Sequence, residues 1–310
     1  MESIIQVNNL TKYFKQIHAV DDLSFSVQKG EVYGFLGQNG AGKSTTIRML
    51  LTLIKPTNGT IQIFGADLKD HRNKILMKIG AIIEKPDLYK YLTALENLRL
   101  FARLSKIHRT PAEFIRQLEV VGIAERATSK VKTFSQGMKQ RLGIACALIH
   151  DPELIVLDEP TNGLDPQGIA DVRNLILHLS KNEGKTVLIS SHLLNEIELI
   201  ADSMLIIDKG KKIAMGKVNE LLNPADMFIE LQTTNNSAAL YKLQNSNFQK
   251  IVKTKDGKIL LSVHQQEVPE LAKTLIAMGI EIMALQPKHS LEDFFLSLTT
   301  NDNHVAAYKN

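Results

Sequence analysis

An α/β fold with a parallel central sheet is what the sequence predicts, and three observations carry the prediction. The stretch "EVYGFLGQNGAGKSTTIRMLLTLI" at 31 to 54 passes from a short apolar run through a glycine-rich loop into helical spacing, the strand, loop and helix order of a phosphate-binding unit. The runs "ELIVLD" at 153 to 158 and "TVLIS" at 186 to 190 have continuous apolar centres between polar ends and flank the amphipathic "IADVRNLILHLS". Continuous apolar strands around a helix are the βαβ rhythm of a sheet buried on both faces. Past about Leu222 the composition shifts, with Asn, Gln, Thr and Ser clustered from 232 to 247, which marks a small α+β appendage.

The elements follow in order. Apolar and polar residues alternate over "IIQVNNL" and "AVDDLSFSV", as antiparallel strands with one wet face do. After the turn "KPTNG" comes a short strand, "TIQIFG". From about Asp67 to Ser135 the pattern is mostly helical, a helical insertion in which Thr93 and Glu96 form a capping box opening "ALENLRLFARL". The segment "MLIIDKGKKIAMG" reads as a hairpin turning on glycine. The remainder reads as a strand, a hairpin around Asp256 and Gly257, the helix "VPELAKTLIAMG", the strand "IEIMAL" and a final helix capped by Ser290.

With 310 residues, 44% of them hydrophobic, the chain buries a large core and has room for one large domain plus a smaller one, or two similar ones. A net charge of +4 with dispersed lysines does not indicate nucleic acid, and "DKGKK" reads as a solvated turn. The single cysteine, Cys146, lies in an apolar helical pattern, fits a reducing compartment and reads as a core thiol. No export signal opens the sequence and no apolar run approaches the length of a membrane span, so a membrane role would come through a partner.

Gly37, Gly42, Lys43 and Ser44 satisfy the G-x-x-x-x-G-K-[ST] spacing, with Gln38, Asn39, Gly40 and Ala41 between them and Thr45 after. Such a loop turns successive N–H groups toward a phosphate, the lysine reaches the β and γ oxygens, and the Ser44 hydroxyl binds Mg²⁺. Asp158 and Glu159 end the apolar run "LIVLDEP", at the carboxyl edge where open α/β sheets bind ligands. One carboxylate there can hold Mg²⁺ while its neighbour polarises water for phosphoryl transfer; alone, "DEP" could equally be a surface turn. A second phosphate-facing helix start occurs at "FSQGMKQRLGIA", where small polar residues and Gly137 precede a helical pattern.

The phosphate loop, "FSQGMKQR", "LIVLDEP", "TNGLDP" and "SSH", in this order, resemble the nucleotide-binding subunit of an ABC transporter over roughly residues 1 to 220. The resemblance implies a P-loop NTPase fold of the ABC ATPase type at 1 to 222, with an antiparallel β subdomain, a helical subdomain at about 85 to 150, and a C-terminal α+β domain at 223 to 310. It implies an ATPase using ATP and Mg²⁺, in which Lys43 and Ser44 hold phosphate and metal, Asp158 holds metal, Glu159 is the base and His192 contacts the γ-phosphate. Two subunits of the family, alike or different, dimerise head to tail, so Ser135 and Gly137 of one close on the nucleotide in the phosphate loop of the other. Asp165 falls in the loop that communicates across that dimer. The usual L-S-G-G-Q is "FSQGM" here, departing at Phe134, Gln136 and Met138.

Phe14 falls where an aromatic stacks on adenine, with Tyr13 as the alternative, and either could be core. Glu84 stands where the family usually has Gln between metal and permease. Without Mg²⁺ a carboxylate there would be repelled by a phosphate by roughly 4 kcal/mol at about 4 Å, so it fits only as a metal-side ligand or a solvated loop residue. The signature region, Glu84 and the tail "SLEDFFLSLT" resemble the ATPases of bacitracin-type and lantibiotic-immunity exporters. That resemblance implies export of an amphipathic peptide, drug or lipid through an integral membrane permease, with the chain peripheral on the cytoplasmic face of the membrane. An importer subunit is the nearest rival. A soluble clamp on ribosomes or nucleic acid is disfavoured by the single phosphate loop and the lack of sustained heptads.

Overall fold

The computed structural model describes residues 2–221, 228–246, 248, 252–255, 258–263 and 267–288. The chain divides between Val218 and Asn219 into two compact units.

The first unit opens with a long antiparallel pair, β1 (Ser3–Phe14) and β2 (Ile17–Gln28), in the register Ile5 to Val27 and Val7 to Phe25. Their alternate side chains are buried, as the alternation in sequence predicts. β3 (Val32–Leu36) is buried throughout and leads into α1 (Lys43–Leu50). β4 (Asn58–Ile63) and β5 (Ala66–Asp67) then complete a four-stranded sheet in the order β2-β1-β4-β5. Phe25 and Phe35 meet at 5.6 Å between ring centres, so one apolar core joins this sheet to the next.

After α2 (Arg72–Leu76) comes β6 (Ile79–Ile82), a strand inside a region whose sequence reads as mostly helical. Four residues are too few to display a period, and Gly80 weakens any strand signal. What fixes the segment as a strand is tertiary: Ile79 and Ile82 are buried and pair in parallel with Leu154 and Leu157. The expectation of helix there is corrected accordingly.

The helical portion follows with α3 (Ala94–Leu104), α4 (Pro111–Val120) and α5 (Gln136–Ala147). The capping box expected at α3 is present, Thr93 Oγ1 accepting from Glu96 N and Glu96 Oε2 from Thr93 N. A second box caps α4, where the N–H and hydroxyl of Thr110 hold the Glu113 carboxyl down to about 2. The sheet resumes with β7 (Leu154–Asp158), α6 (Pro166–Lys181), β8 (Thr186–Ser191), α7 (Leu194–Glu198), β9 (Ser203–Asp208) and β10 (Lys211–Lys217). Its order is β10-β9-β3-β8-β7-β6, parallel except for the β9–β10 hairpin, which turns on Lys209 and Gly210 at positive φ.

One helical turn, α8 (Val218–Leu221), straddles the division and opens the second unit. That unit has β11 (Phe228–Thr233), α9 (Asn236–Gln244), β12 (Val252–Lys255), β13 (Lys258–Ser262), α10 (Val268–Ala277) and β14 (Ile282–Lys288). The antiparallel order β12-β13-β11-β14 is the split βαβ arrangement. α9 lies within the Asn- and Ser-rich stretch where the sequence shows only a change of composition. Asn235 caps it, accepting from Ala238 N at 3.0 Å, so the polar residues there start a helix rather than a loop. Asp256, Gly257, the final helix expected from Ser290 and the tail "SLEDFFLSLT" lie outside the described residues.

The end of α5 presses on β6 so closely that a Cβ at Gly80 would sit 2.3 Å from the Ala147 carbonyl oxygen. Backbone cannot yield as a side-chain tip can, so Gly80→Ala is expected to cost about 1–3 kcal/mol of unfolding free energy, read by urea denaturation. An unchanged midpoint would contradict this packing.

Candidate functional site

Three neighbouring parallel strands end together and set the site. β3 pairs with β8 so that Leu36 lies level with Ser191, and β8 pairs with β7 so that Ser190 lies level with Asp158. The phosphate loop after β3, the carboxylates closing β7 and His192 after β8 therefore share one edge, the carboxyl end of the sheet, where the sequence reading places them.

The loop needs its glycines at both ends. A Cβ at Gly37 would meet the Ile207 carbonyl oxygen at 2.5 Å; Gly42, at φ 108, is left-handed and lies as close to the Ala19 carbonyl oxygen. Between them Gln38, Asn39 and Gly40 are exposed and Ala41 is buried, while Ser44 and Thr45 are half-buried in the first turn of α1. The leading N–H groups of a helix have no intrahelical acceptor, which makes this turn an anion site.

Lys43 is only 5% exposed, and its Nζ donates to the carbonyl oxygens of Gly37 (2.7 Å) and Gln38 (3.3 Å). Glu159 Oε1 lies 3.0 Å from the same ammonium. That approach is a charge contact without hydrogen-bond alignment, so Oε1, though buried, has no hydrogen-bond partner among the described residues. Glu159 Oε2 faces His192 Nδ1 at 2.7 Å. Glu159 itself holds φ 51, a conformation uncommon outside glycine, which turns its side chain out of the strand line.

Asp158 is 1% exposed. One of its oxygens, Oδ1, accepts from Ser190 Oγ at 2.5 Å; the other, Oδ2, is buried and without a partner among the described residues. An orphaned carboxylate oxygen at the sheet edge that also carries the phosphate loop is the kind of donor a hard cation takes. Among the described residues no three His, Cys, Asp or Glu side chains cluster as a closed metal cage, so a cation here would complete its shell with phosphate and water.

The second glycine-centred motif begins α5. Ser135 is its N-cap, accepting from Met138 N at 3.2 Å, and Asp165 is the N-cap of α6, accepting from Gly168 N at 3.0 Å. A Cβ at Gly137 would touch Gly168 Cα at 3.6 Å, so these two helix starts lie side by side. Phe134, the departure from leucine, is buried under the Arg126 guanidinium, an apolar role that an aromatic fills as well. Cys146 is buried, which pushes its thiol well above the ordinary range and keeps it an inert core group.

Phe14 is 45% exposed at the end of β1 with Lys12 Nζ 5.0 Å over its ring, while Tyr13 packs on His18. Phe14 is thus the freer face of the two. Glu84 has φ 63 and its carboxylate pairs with Arg48 on α1 at 2.5 Å, a partner the sequence reading did not foresee. Both of those side chains are well exposed. Two further residues were also missed: Ser190, unassigned within "SSH", and Glu196, whose Oε2 accepts from the hydroxyls of Thr161 and Ser191. Only strand register, which sequence does not display, could have paired Ser190 with Asp158, and only the fold brings Glu196 of α7 to Thr161.

Comparison with known proteins places this geometry. The bacitracin transport ATP-binding protein BcrA of Bacillus licheniformis is 43% identical over 300 residues, covering 96% of this chain and 98% of that protein. The chain belongs to the ABC transporter ATP-binding proteins. The ABC transporter family also matches residues 20–162, from β2 past the end of β7. The linearmycin resistance ATP-binding protein LnrL of Bacillus subtilis (strain 168) is 35% identical over 306 residues, 96% of this chain and 98% of its own length. Among solved structures, the dimeric post-hydrolysis state of the ATP-binding cassette MJ0796 bound to ADP and Pi superposes with a TM-score of 0.61 at 28% identity, over 69% of this chain and 98% of that one.

This ABC cassette is therefore an ATPase, and its fold binds ATP. ABC cassettes dimerise, and transporter ATP-binding proteins work with a membrane partner. No described helix of this one is long and apolar enough to cross a membrane itself.

Proposed function

We propose that the cassette hydrolyses ATP between two protomers and thereby powers export of an amphipathic compound, such as a peptide antibiotic, drug or lipid, through a separate permease at the cytoplasmic face of the membrane. The observation that carries the catalytic part is the Glu159 carboxylate held between Lys43 and His192 with one oxygen free of hydrogen bonds. The export part rests on relatives named for bacitracin transport and linearmycin resistance that match nearly the full chain.

In this reading Lys43 and the loop amides from Gly37 to Thr45 hold the β- and γ-phosphates, and Phe14 stacks on the base. Ser44 Oγ and Asp158 Oδ2 would hold Mg²⁺, which when bound neutralises charge on the transferred phosphoryl group. Glu159 Oε1 takes the proton of the attacking water, a role that needs a free lone pair, and His192 steadies Glu159 and faces the γ-phosphate. Glu84 reaches the metal side only by leaving Arg48. Ser135 and the Gly137 N–H close on the nucleotide of the partner protomer, where the dipole of α5 adds roughly 0.3–2 kcal/mol toward an anion. Asp165, capping the adjacent helix, carries contact across the same junction.

Glu159→Gln is expected to keep ATP binding while lowering turnover by about 10²–10⁴-fold. Cells carrying that variant with the permease should lose resistance to the exported compound. Unaltered steady-state hydrolysis would remove Glu159 from its role, and unaltered resistance would break the link between hydrolysis and export. The shared site has its own signature: Ser135→Arg and Lys43→Ala are each inactive alone, yet mixed they leave one composite site intact and recover part of the activity. No recovery at any ratio contradicts closure by the partner protomer.

A further inference from the structure

Ser190 stands at the seam of the site, inside "SSH" but without a role assigned to it there. It is fully buried at the end of β8, level with Asp158 of β7. A serine hydroxyl has one proton to give and two lone pairs to offer. Here Oγ donates to Asp158 Oδ1 at 2.5 Å and accepts from Glu159 N at 2.9 Å, and the Ser190 carbonyl oxygen lies 3.2 Å from the same N–H.

The direction of this relay is forced. A backbone amide can only donate, so the hydroxyl takes that proton on a lone pair and its own proton must point to Asp158. Two results follow from one side chain. Asp158 is fixed through Oδ1, which leaves the buried Oδ2 as the oxygen without a protein partner. Glu159 is tethered by its N–H while its backbone stands at φ 51, the turn that sends its carboxylate to Lys43 and His192.

We propose that Ser190 is the positioning residue of the two carboxylates, holding Asp158 in the orientation that serves the metal and Glu159 in the orientation that serves the base. The proposal rests on the metal-side reading of Asp158 given above. It assigns to β8 a task beyond carrying His192: the strand presents a hydroxyl that decides which oxygen of its neighbour is free. Partners of this kind, one bond behind a metal ligand, govern metal affinity as well as turnover.

The test uses the full chain loaded with ATP and titrated with Mn²⁺ by electron paramagnetic resonance, with Mg²⁺-supported turnover measured in parallel. ATP binding without metal should be the same in wild type and Ser190→Ala. Mn²⁺ affinity and kcat should both fall about 10–100-fold in Ser190→Ala, with KM for ATP little changed, and Ser190→Thr should restore them. Should the alanine variant fail to fold, Ser190→Cys, a near match in volume and a weaker donor, is expected to show the same losses to a smaller degree. Wild-type Mn²⁺ affinity in Ser190→Ala or Ser190→Cys overturns the proposal, as does a loss that threonine leaves uncorrected. Metal dependence present in wild type but untouched by these variants defeats the role of Ser190 alone. A wild type whose nucleotide complex ignores metal defeats the reading of Asp158, and this proposal with it.

Discussion

The carboxylate of Glu159, gripped between Lys43 and His192, is the interaction on which the rest of the structure turns. Lysine and glutamate are almost never buried unless paired, and here each is the other's reason for tolerating a site with little solvent. The pair exists only because three strands distant in sequence end at one level: β3 delivers the lysine, β7 the glutamate, and β8, lying between them, the histidine. Shifting any strand by one residue would turn its end to the opposite face of the sheet and break the set. The apolar runs of those strands are thus functional in a plain sense, since their burial fixes the register that aims the charges.

The same logic explains why one chain carries two phosphate-facing helix starts. Within this protomer the starts of α5 and α6 lie against each other through Gly137 and Gly168, with Ser135 and Asp165 as their caps. On the proposed reading they serve a nucleotide held by a second protomer, so each chain supplies the phosphate loop to one site and the signature helix to another. Neither half is complete alone, which ties the chemistry to closure of the dimer and gives a membrane partner something mechanical to follow.

Much of this was legible in the sequence because glycine, caps and terminal carboxylates are local signals. The phosphate loop is spelled by Gly37 and Gly42 in positions where a Cβ would strike backbone, and the α3 cap by Thr93 and Glu96 three residues apart. What escaped was non-local. β6 is a strand because Leu154 and Leu157 lie beside it, not because "IGAI" says so. α9 hides in polar residues that favour caps and turns alike. Arg48 and Glu84 are 36 positions apart, and Ser190 and Asp158 are 32; only the fold makes them neighbours.

Light scattering of a hydrolysis-blocked chain saturated with ATP and Mg²⁺, compared with the nucleotide-free chain, tests the central claim most directly. The account predicts a species of twice the 34.6 kDa protomer mass that forms with nucleotide and is lost when the nucleotide is removed. Protomers that stay single at every nucleotide concentration, in solution and in membranes holding the permease, would contradict it.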